Sequence, residues 1–184
     1  MTTSALLDTC VLYPAHLRDT LLRLAEAGLF RPLWSPDILE ELRRNLVMPP
    51  GLAENAVDRT IGLMNRYFSD AECTGYQALV DAMECDAKDR HVLAAAVHAH
   101  ADTLSTFNTK DFPPHSLAPY PVALATPDDF LLDLLDLAPR LVVGSLKDQA
   151  AGHKREPKTL AGLLAVLARS GVPAFADEVR RLVN

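Results

Sequence analysis

Cysteine is scarce in this sequence: Cys10, Cys73 and Cys85 are odd in number and match neither a paired disulfide framework nor a CxxC metal or redox spacing. Reduced, mainly space-filling thiols are expected. Long apolar runs are missing too. No segment approaches the roughly 18 uninterrupted apolar residues of a membrane span, so no membrane partner is expected. The start, MTTSALLDTCVLYP, has no basic stretch ahead of its apolar residues, which points away from a secretory leader and toward a cytoplasmic protein. Positive charge is in deficit: the formal net charge is −6, whereas tight non-specific binding of polyanions needs clustered Lys and Arg. The deficit leaves room for a nucleic-acid enzyme, because carboxylates that load divalent cations are much less acidic once metallated. His91, His98 and His100 share a helix without an HExxH pattern, and HxH spacing points the rings apart, so no zinc site is expected. Internal repeats and low-complexity tracts are absent.

What is present is an ordinary globular composition, 49% hydrophobic and 23% charged. A chain of 184 residues suffices for one substantial core and a small appended domain. The acids are unevenly spread: residues 1–124 hold 10 Lys and Arg against 16 Asp and Glu, while residues 125–184 hold 8 against 8.

Ala5 to Leu7 is a short apolar run ending in Asp8, the pattern of a central parallel strand that delivers a carboxylate at its end. Leu17, Leu21 and Leu24 recur at helical spacing, and Gly28 supplies a left-handed stop, so a helix is expected over Ala15 to Ala27. Phe30 to Trp34 is the next strand. Ser35, Pro36 and Asp37 form a strong helix start, and the helix runs to about Leu46. Its apolar stripe is Ile38, Leu39, Leu42 and Leu46; Glu41 lies near the edge of that stripe, whereas Glu40 points away. Val57, Ile61, Met64 and Phe68 mark a packing helix, and Gln77 to Met83 is open between a short strand and a helical turn. Asp86 and Asp89 flank the start of an alanine-rich helix, followed by a strand at Thr103 to Thr106 and by Asn108 and Asp111 just past its end. Pro121 to Leu124 is a further candidate strand. Thr126 then caps a helix, and the remaining chain is leucine-rich and helical around a polar linker from Lys147 to Lys158.

Functional groups in open α/β sheets collect at the carboxyl ends of strands. Here those ends and the neighbouring helix starts offer Asp8, Glu41, Asp86 or Asp89, and Asn108 or Asp111. Hard oxygen donors of this kind suit Mg²⁺, which borrows further ligands from water and substrate phosphates. Two such ions can activate water and stabilise the leaving oxygen of a phosphodiester.

The motifs LLDTCVL, SPDILEELRRNL, DAKDRHVLAAAV and LSTFNTKDFP together resemble the PIN-domain nucleases, in particular the VapC-like toxins of type II toxin-antitoxin systems. The resemblance spans approximately Ser4 to Leu124. It implies an α/β fold, a PIN-like three-layer α/β/α unit with a central parallel sheet over residues 1–125, followed by a small all-helical domain over 126–184. It implies a ribonuclease dependent on Mg²⁺ or Mn²⁺, with RNA as substrate and an antitoxin protein as partner. By position, the family's acids fall on Asp8, Glu41, Asp89 and Asn108, with Asp111 as an auxiliary or substitute ligand; Asp8, Asp89, Asn108 and Asp111 are the metal set.

Around that set, Thr106 either orients the scissile phosphate or bonds the backbone at the strand end, and His91 stands beside Asp89 to touch substrate or to pack. Lys154 and Arg155 either hold RNA phosphates or belong to a solvated loop. The leucine-rich tail is an antitoxin surface, a homodimer surface or a helical cap on the core. Cys10 departs from the family, which usually has Asn there, and keeps open a rival reading: a catalytically inactive PIN-like module that binds RNA or protein. A Mg²⁺-dependent phosphohydrolase of the haloacid dehalogenase type needs a second Asp two residues after the first, where this chain has Cys10.

Overall fold

A computed structural model describes residues 2–183. Its centre is β1 (Ser4–Leu7), in which all four residues are buried. Successive strand side chains face opposite sides, so both faces of β1 are covered. β2 (Arg31–Leu33) pairs with β1 on one side, Leu6 opposite Leu33. β3 (Thr103–Ser105) pairs on the other, Leu7 opposite Ser105, and β4 (Ala123–Ala125) lies beyond it. The order β2-β1-β3-β4 is parallel throughout. The chain leaves β1 toward β2, then crosses back over β1 to reach β3. That reversal makes the ends of β1 and β3 a topological switch point, where a crevice opens beyond the strands.

Asp8 begins a one-turn helix that local pattern did not announce, α1 (Thr9–Leu12). α2 (Ala15–Glu26) follows with Leu17, Leu21 and Leu24 fully buried, and Gly28 at φ +79° supplies the left-handed turn that ends it. The side chain of Ser35 accepts from the Ile38 N–H at 3.2 Å and so fixes the start of α3 (Pro36–Val47). α4 (Glu54–Tyr67) packs through Val57 and Met64. The segment left open by the sequence is a 3₁₀ helix, Gln77–Ala82. α5 (Arg90–His98) buries Val92 through Ala96, and its small side chains allow a close approach to the sheet. α6 (Pro114–Leu117) precedes β4.

The helical C-terminal region comprises α7 (Pro127–Leu137), α8 (Pro139–Gly152), α9 (Leu160–Arg169) and α10 (Pro173–Val183). Here the expected polar linker from Lys147 is corrected: α8 continues through Gly152, and only 153–159 connects it to α9. The reason is Gln149, which is completely buried, accepts from the Thr20 hydroxyl at 2.8 Å and donates to the His16 carbonyl at 3.1 Å. A polar residue thus faces α2 through satisfied hydrogen bonds. Asp128 accepts from the Ala174 and Phe175 N–H groups at 3.0 and 2.8 Å, tying α7 to the start of α10. Phe30 and Phe130 meet edge to face at 5.0 Å, so one apolar core runs through the sheet region and the C-terminal helices. Among the described residues, no helix is long and apolar enough to cross a membrane.

Candidate active site

Asp8 leaves the end of β1 with its carboxylate buried at 4% exposure. One oxygen accepts from the Thr9 N–H at 2.7 Å, and the other accepts from the Thr106 hydroxyl at 2.7 Å and from the Cys10 thiol at 3.2 Å. Thr106, just past the end of β3, also accepts from the Asn108 N–H at 3.0 Å, so the ends of β1 and β3 are joined through this hydroxyl. Burial and then the charge of Asp8 push the Cys10 thiol up to about 12, which makes it a neutral donor rather than a thiolate ligand. Its sulfur accepts from the Phe107 N–H at 3.4 Å. The loop is braced from behind: a Cβ on Gly171, at φ +98° after α9, would lie 2.6 Å from the Phe107 ring.

Thr9 carries the network to α3, its hydroxyl lying 3.2 Å from a Glu41 carboxylate oxygen. Glu40, by contrast, is exposed and faces Arg44 at 3.9 Å. The edge-of-stripe position of Glu41 is what turns it inward. Glu41, Arg44, Asn45, Met48, Lys88, Asp89 and His91 line an open cleft of about 430 Å³. A larger groove of about 670 Å³ lies between α2 and α4, away from these acids.

Asp89 starts α5 without spending its side chain on a cap hydrogen bond. It is 8% exposed, and its buried Oδ2 has no hydrogen-bond partner. Burial is the main influence that pushes its carboxyl up from 3.8 to about 6; Lys88 pulls it down, and the charges of Asp8, Asp111 and Asp86 push it further up. Lys88 Nζ lies 3.0 Å from an Asp111 oxygen and 3.7 Å from Asp89 Oδ2, the second distance being an ion pair beyond hydrogen-bond range. The Asp86 N–H donates to the Asp111 carbonyl at 3.1 Å, which holds the two loops together.

The structure therefore links Asp8, Thr106 and Glu41 in one network and Asp89 with Asp111 in another, with Asp8 and Asp89 close enough to repel. His91 lines the cleft, and its buried Nδ1 has no partner. Asn108 is exposed and joins the network through its backbone rather than its amide. Lys154 and Arg155 are exposed on the loop that His153 anchors to α2, near Asp19 at 3.5 Å, and neither lines the cleft. Sequence reading missed Thr9 and Lys88. Thr9 adjoins Asp8, and Lys88 stands among the acids of DAKDR, so both had a positional signal but no local sign of a contact.

A hard divalent cation suits this donor set. The chemistry is all oxygen at Asp8, Asp89 and Asp111, and a buried carboxylate oxygen without a donor calls for a cation. Among the described residues no three His, Cys, Asp or Glu side chains stand ready to hold a metal, so a bound ion would need side chains such as Asp111 to turn from their present partners.

Comparison with known proteins agrees with the architecture. The PIN-domain family matches residues 4–110, and the VapC50 C-terminal domain matches residues 127–181. A protein of Mycobacterium tuberculosis (strain ATCC 25618 / H37Rv) described as "Putative ribonuclease VapC50" is 43% identical over 108 residues, which cover 59% of this chain and 63% of that protein. The chain thus spans less than two thirds of that relative's length. No solved structure is significantly similar to the chain. The matched segment holds β1, β2 and β3 with Asp8, Glu41, Asp89 and Asn108, and the chain belongs to the PIN-domain family, with a VapC50-type C-terminal domain behind it.

Proposed function

We propose that this protein is a metal-dependent endoribonuclease, the toxin of a type II toxin-antitoxin system, with residues 1–125 as nuclease domain and 126–184 as a helical domain packed on it. The observation that carries the reading is the buried Asp89 oxygen without a hydrogen-bond partner beside Asp8, in a cleft that also holds Glu41. A pair of repelling buried carboxylates is costly unless a cation joins them. The likeness to a protein described as a putative ribonuclease supports RNA as the substrate; an antitoxin protein as partner is part of the proposal.

Asp8, Asp89 and Asp111, with Asn108 as a further oxygen, would hold Mg²⁺ or Mn²⁺, which would supply Lewis-acid polarisation of the phosphodiester and a more acidic water. The chain's own residues do the rest. Thr9, Thr106 and Cys10 hold the Asp8 carboxylate in one orientation. Glu41, held by Thr9 on the cleft wall, is placed to take a proton from water entering the cleft. His91 presents its ring to the substrate beside Asp89.

The test is cleavage of RNA by the purified protein with Mg²⁺ or Mn²⁺, with a chelator, and as Asp8→Asn. Loss of cleavage in the last two, with 3′-hydroxyl products in the first, is expected; undiminished Mg²⁺-dependent cleavage by Asp8→Asn would sink the proposal. One observation favours a second reading, the inactive RNA- or protein-binding module. A single Asp8 oxygen already receives both the Thr106 hydroxyl and the Cys10 thiol. Absence of Mg²⁺ and Mn²⁺ binding by calorimetry would select that module.

A further inference from the structure

Lys88 is 64% exposed at its side chain, yet its ammonium is folded back onto the protein. A lysine on a turn ordinarily keeps its rotamer freedom and its full hydration, because exposed ion pairs return little. Here the turn is set by the Lys88 N–H donating to an Asp86 carboxylate oxygen at 3.1 Å, and the side chain reaches Asp111 at 3.0 Å and Asp89 at 3.7 Å. Those two acids come from different loops, and one of them presents the buried oxygen that lacks a hydrogen bond. Lys88 also lines the cleft with Glu41 and His91, so a path out into solvent is open to it.

We propose that Lys88 is a built-in surrogate cation that neutralises the Asp89 and Asp111 pair in the metal-free protein and must be displaced for a divalent ion to bind. This rests on the metal-dependent reading above. The exclusion is geometric and electrostatic. The ammonium occupies an Asp111 oxygen at 3.0 Å, and a divalent ion taking that oxygen would share it with a second cation, which repels it. Lys88 thereby sets the free metal concentration at which the site loads, and it holds the two acidic loops together until then.

The proposal is tested by titrating Mn²⁺ calorimetrically into the full chain, as wild type, Lys88→Met and Lys88→Arg, with thermal unfolding of each protein in the presence of chelator. Lys88→Met is expected to bind Mn²⁺ on the order of tenfold more tightly than wild type and to melt lower when metal-free, since a counter-charge has been removed from buried acid. Lys88→Arg, which keeps the charge, is expected to retain wild-type affinity within a few-fold. Wild-type Mn²⁺ binding that Lys88→Met leaves unchanged or weakens would overturn the surrogate-cation proposal while the metal site stands. Failure of every variant to bind Mn²⁺ would overturn the metal-dependent reading and this proposal with it.

Discussion

Asp8 and Asp89 are both buried and both nominated as metal ligands, but their surroundings are opposite. Asp8, at 4% exposure, receives the Thr9 N–H, the Thr106 hydroxyl and the Cys10 thiol. Asp89, at 8% exposure, has an oxygen with no donor at all and a carboxyl pushed up to about 6, chiefly by burial. One acid is oriented by hydrogen bonds from the fold itself; the other has only the Lys88 ammonium, 3.7 Å away, to offset its charge. A buried charge without a donor is unfavourable for stability. Its presence in a cleft beside other acids makes sense if a cation completes it, which is the division of labour expected when function is built at some cost to folding.

The largest effects that would sharpen this contrast are on activity. Replacing either acid, Asp8→Ala or Asp89→Ala, should lower RNA cleavage by roughly a thousandfold or more, since each removes a member of a unit that acts together. A residual rate near wild type in either variant would remove that acid from the site. The same two substitutions should then part company in stability. Asp8→Ala takes the acceptor from the buried Thr9 N–H and Thr106 hydroxyl and from the half-buried Cys10 thiol, and should cost about 2–3 kcal/mol. Asp89→Ala removes an ill-accommodated charge and should stabilise the metal-free protein at pH 7.5 by about 2 kcal/mol. Chemical denaturation of both in chelator checks the signs, and destabilisation by Asp89→Ala would contradict the contrast.

The contrast also has a pH signature. The folded-state value for Asp89, about 6, lies above its ordinary 3.8, so between about pH 4 and 6 the folded protein binds more protons than the unfolded chain. Stability from this group therefore falls as pH rises through that window, and the penalty is complete above it. Metal-free wild type should gain stability relative to Asp89→Ala on going from pH 7 to pH 5, and denaturation midpoints of the two at both pH values measure it. A gap that stays constant would show that Asp89 does not titrate there. Metal binding should weaken over the same interval as protons compete for Asp89.

Smaller effects probe the support of Asp8. Thr106→Val removes the donor to Asp8 and the acceptor for the Asn108 N–H, and should cost about 1–2 kcal/mol and roughly tenfold in cleavage, with Thr106→Ser close to wild type. Smallest of all, Lys154→Ala with Arg155→Ala should change RNA affinity by no more than about threefold, because the pair stands outside the cleft. A tenfold loss measured by fluorescence anisotropy would give this loop the RNA-holding role.

Much of this was legible in the sequence where the cause is local. Asp8 follows an apolar run, Ser35-Pro36-Asp37 is a helix start whatever surrounds it, and the phase of the Ile38–Leu46 stripe separates Glu41 from Glu40. The parallel α/β sheet and the helical C-terminal region followed from such signals. What stayed hidden is the work of distant partners. Residues 147–152 looked like part of a linker, because the contact that places them on a helix, Gln149 with Thr20, lies 129 positions away in sequence. Cys10 looked like a space-filler, yet its sulfur sits 3.4 Å from the Thr106 hydroxyl and accepts from the Phe107 N–H, both across the sheet. The one-turn α1 was invisible because Asp8 caps it with the very carboxylate assigned to the site. The reach of Lys88 to Asp111, 23 positions on, and the burial of Asp89 depend on how two loops meet.

The most direct measurement of the central claim is thermal unfolding of wild type and Asp89→Ala at pH 7.5, each with chelator and with saturating Mn²⁺. If Asp89 is kept at a cost in order to hold a cation, the order reverses: Asp89→Ala melts higher in chelator, and wild type gains enough from Mn²⁺ to overtake it. The same order under both conditions, with no Mn²⁺-dependent rise in wild type, would contradict the account.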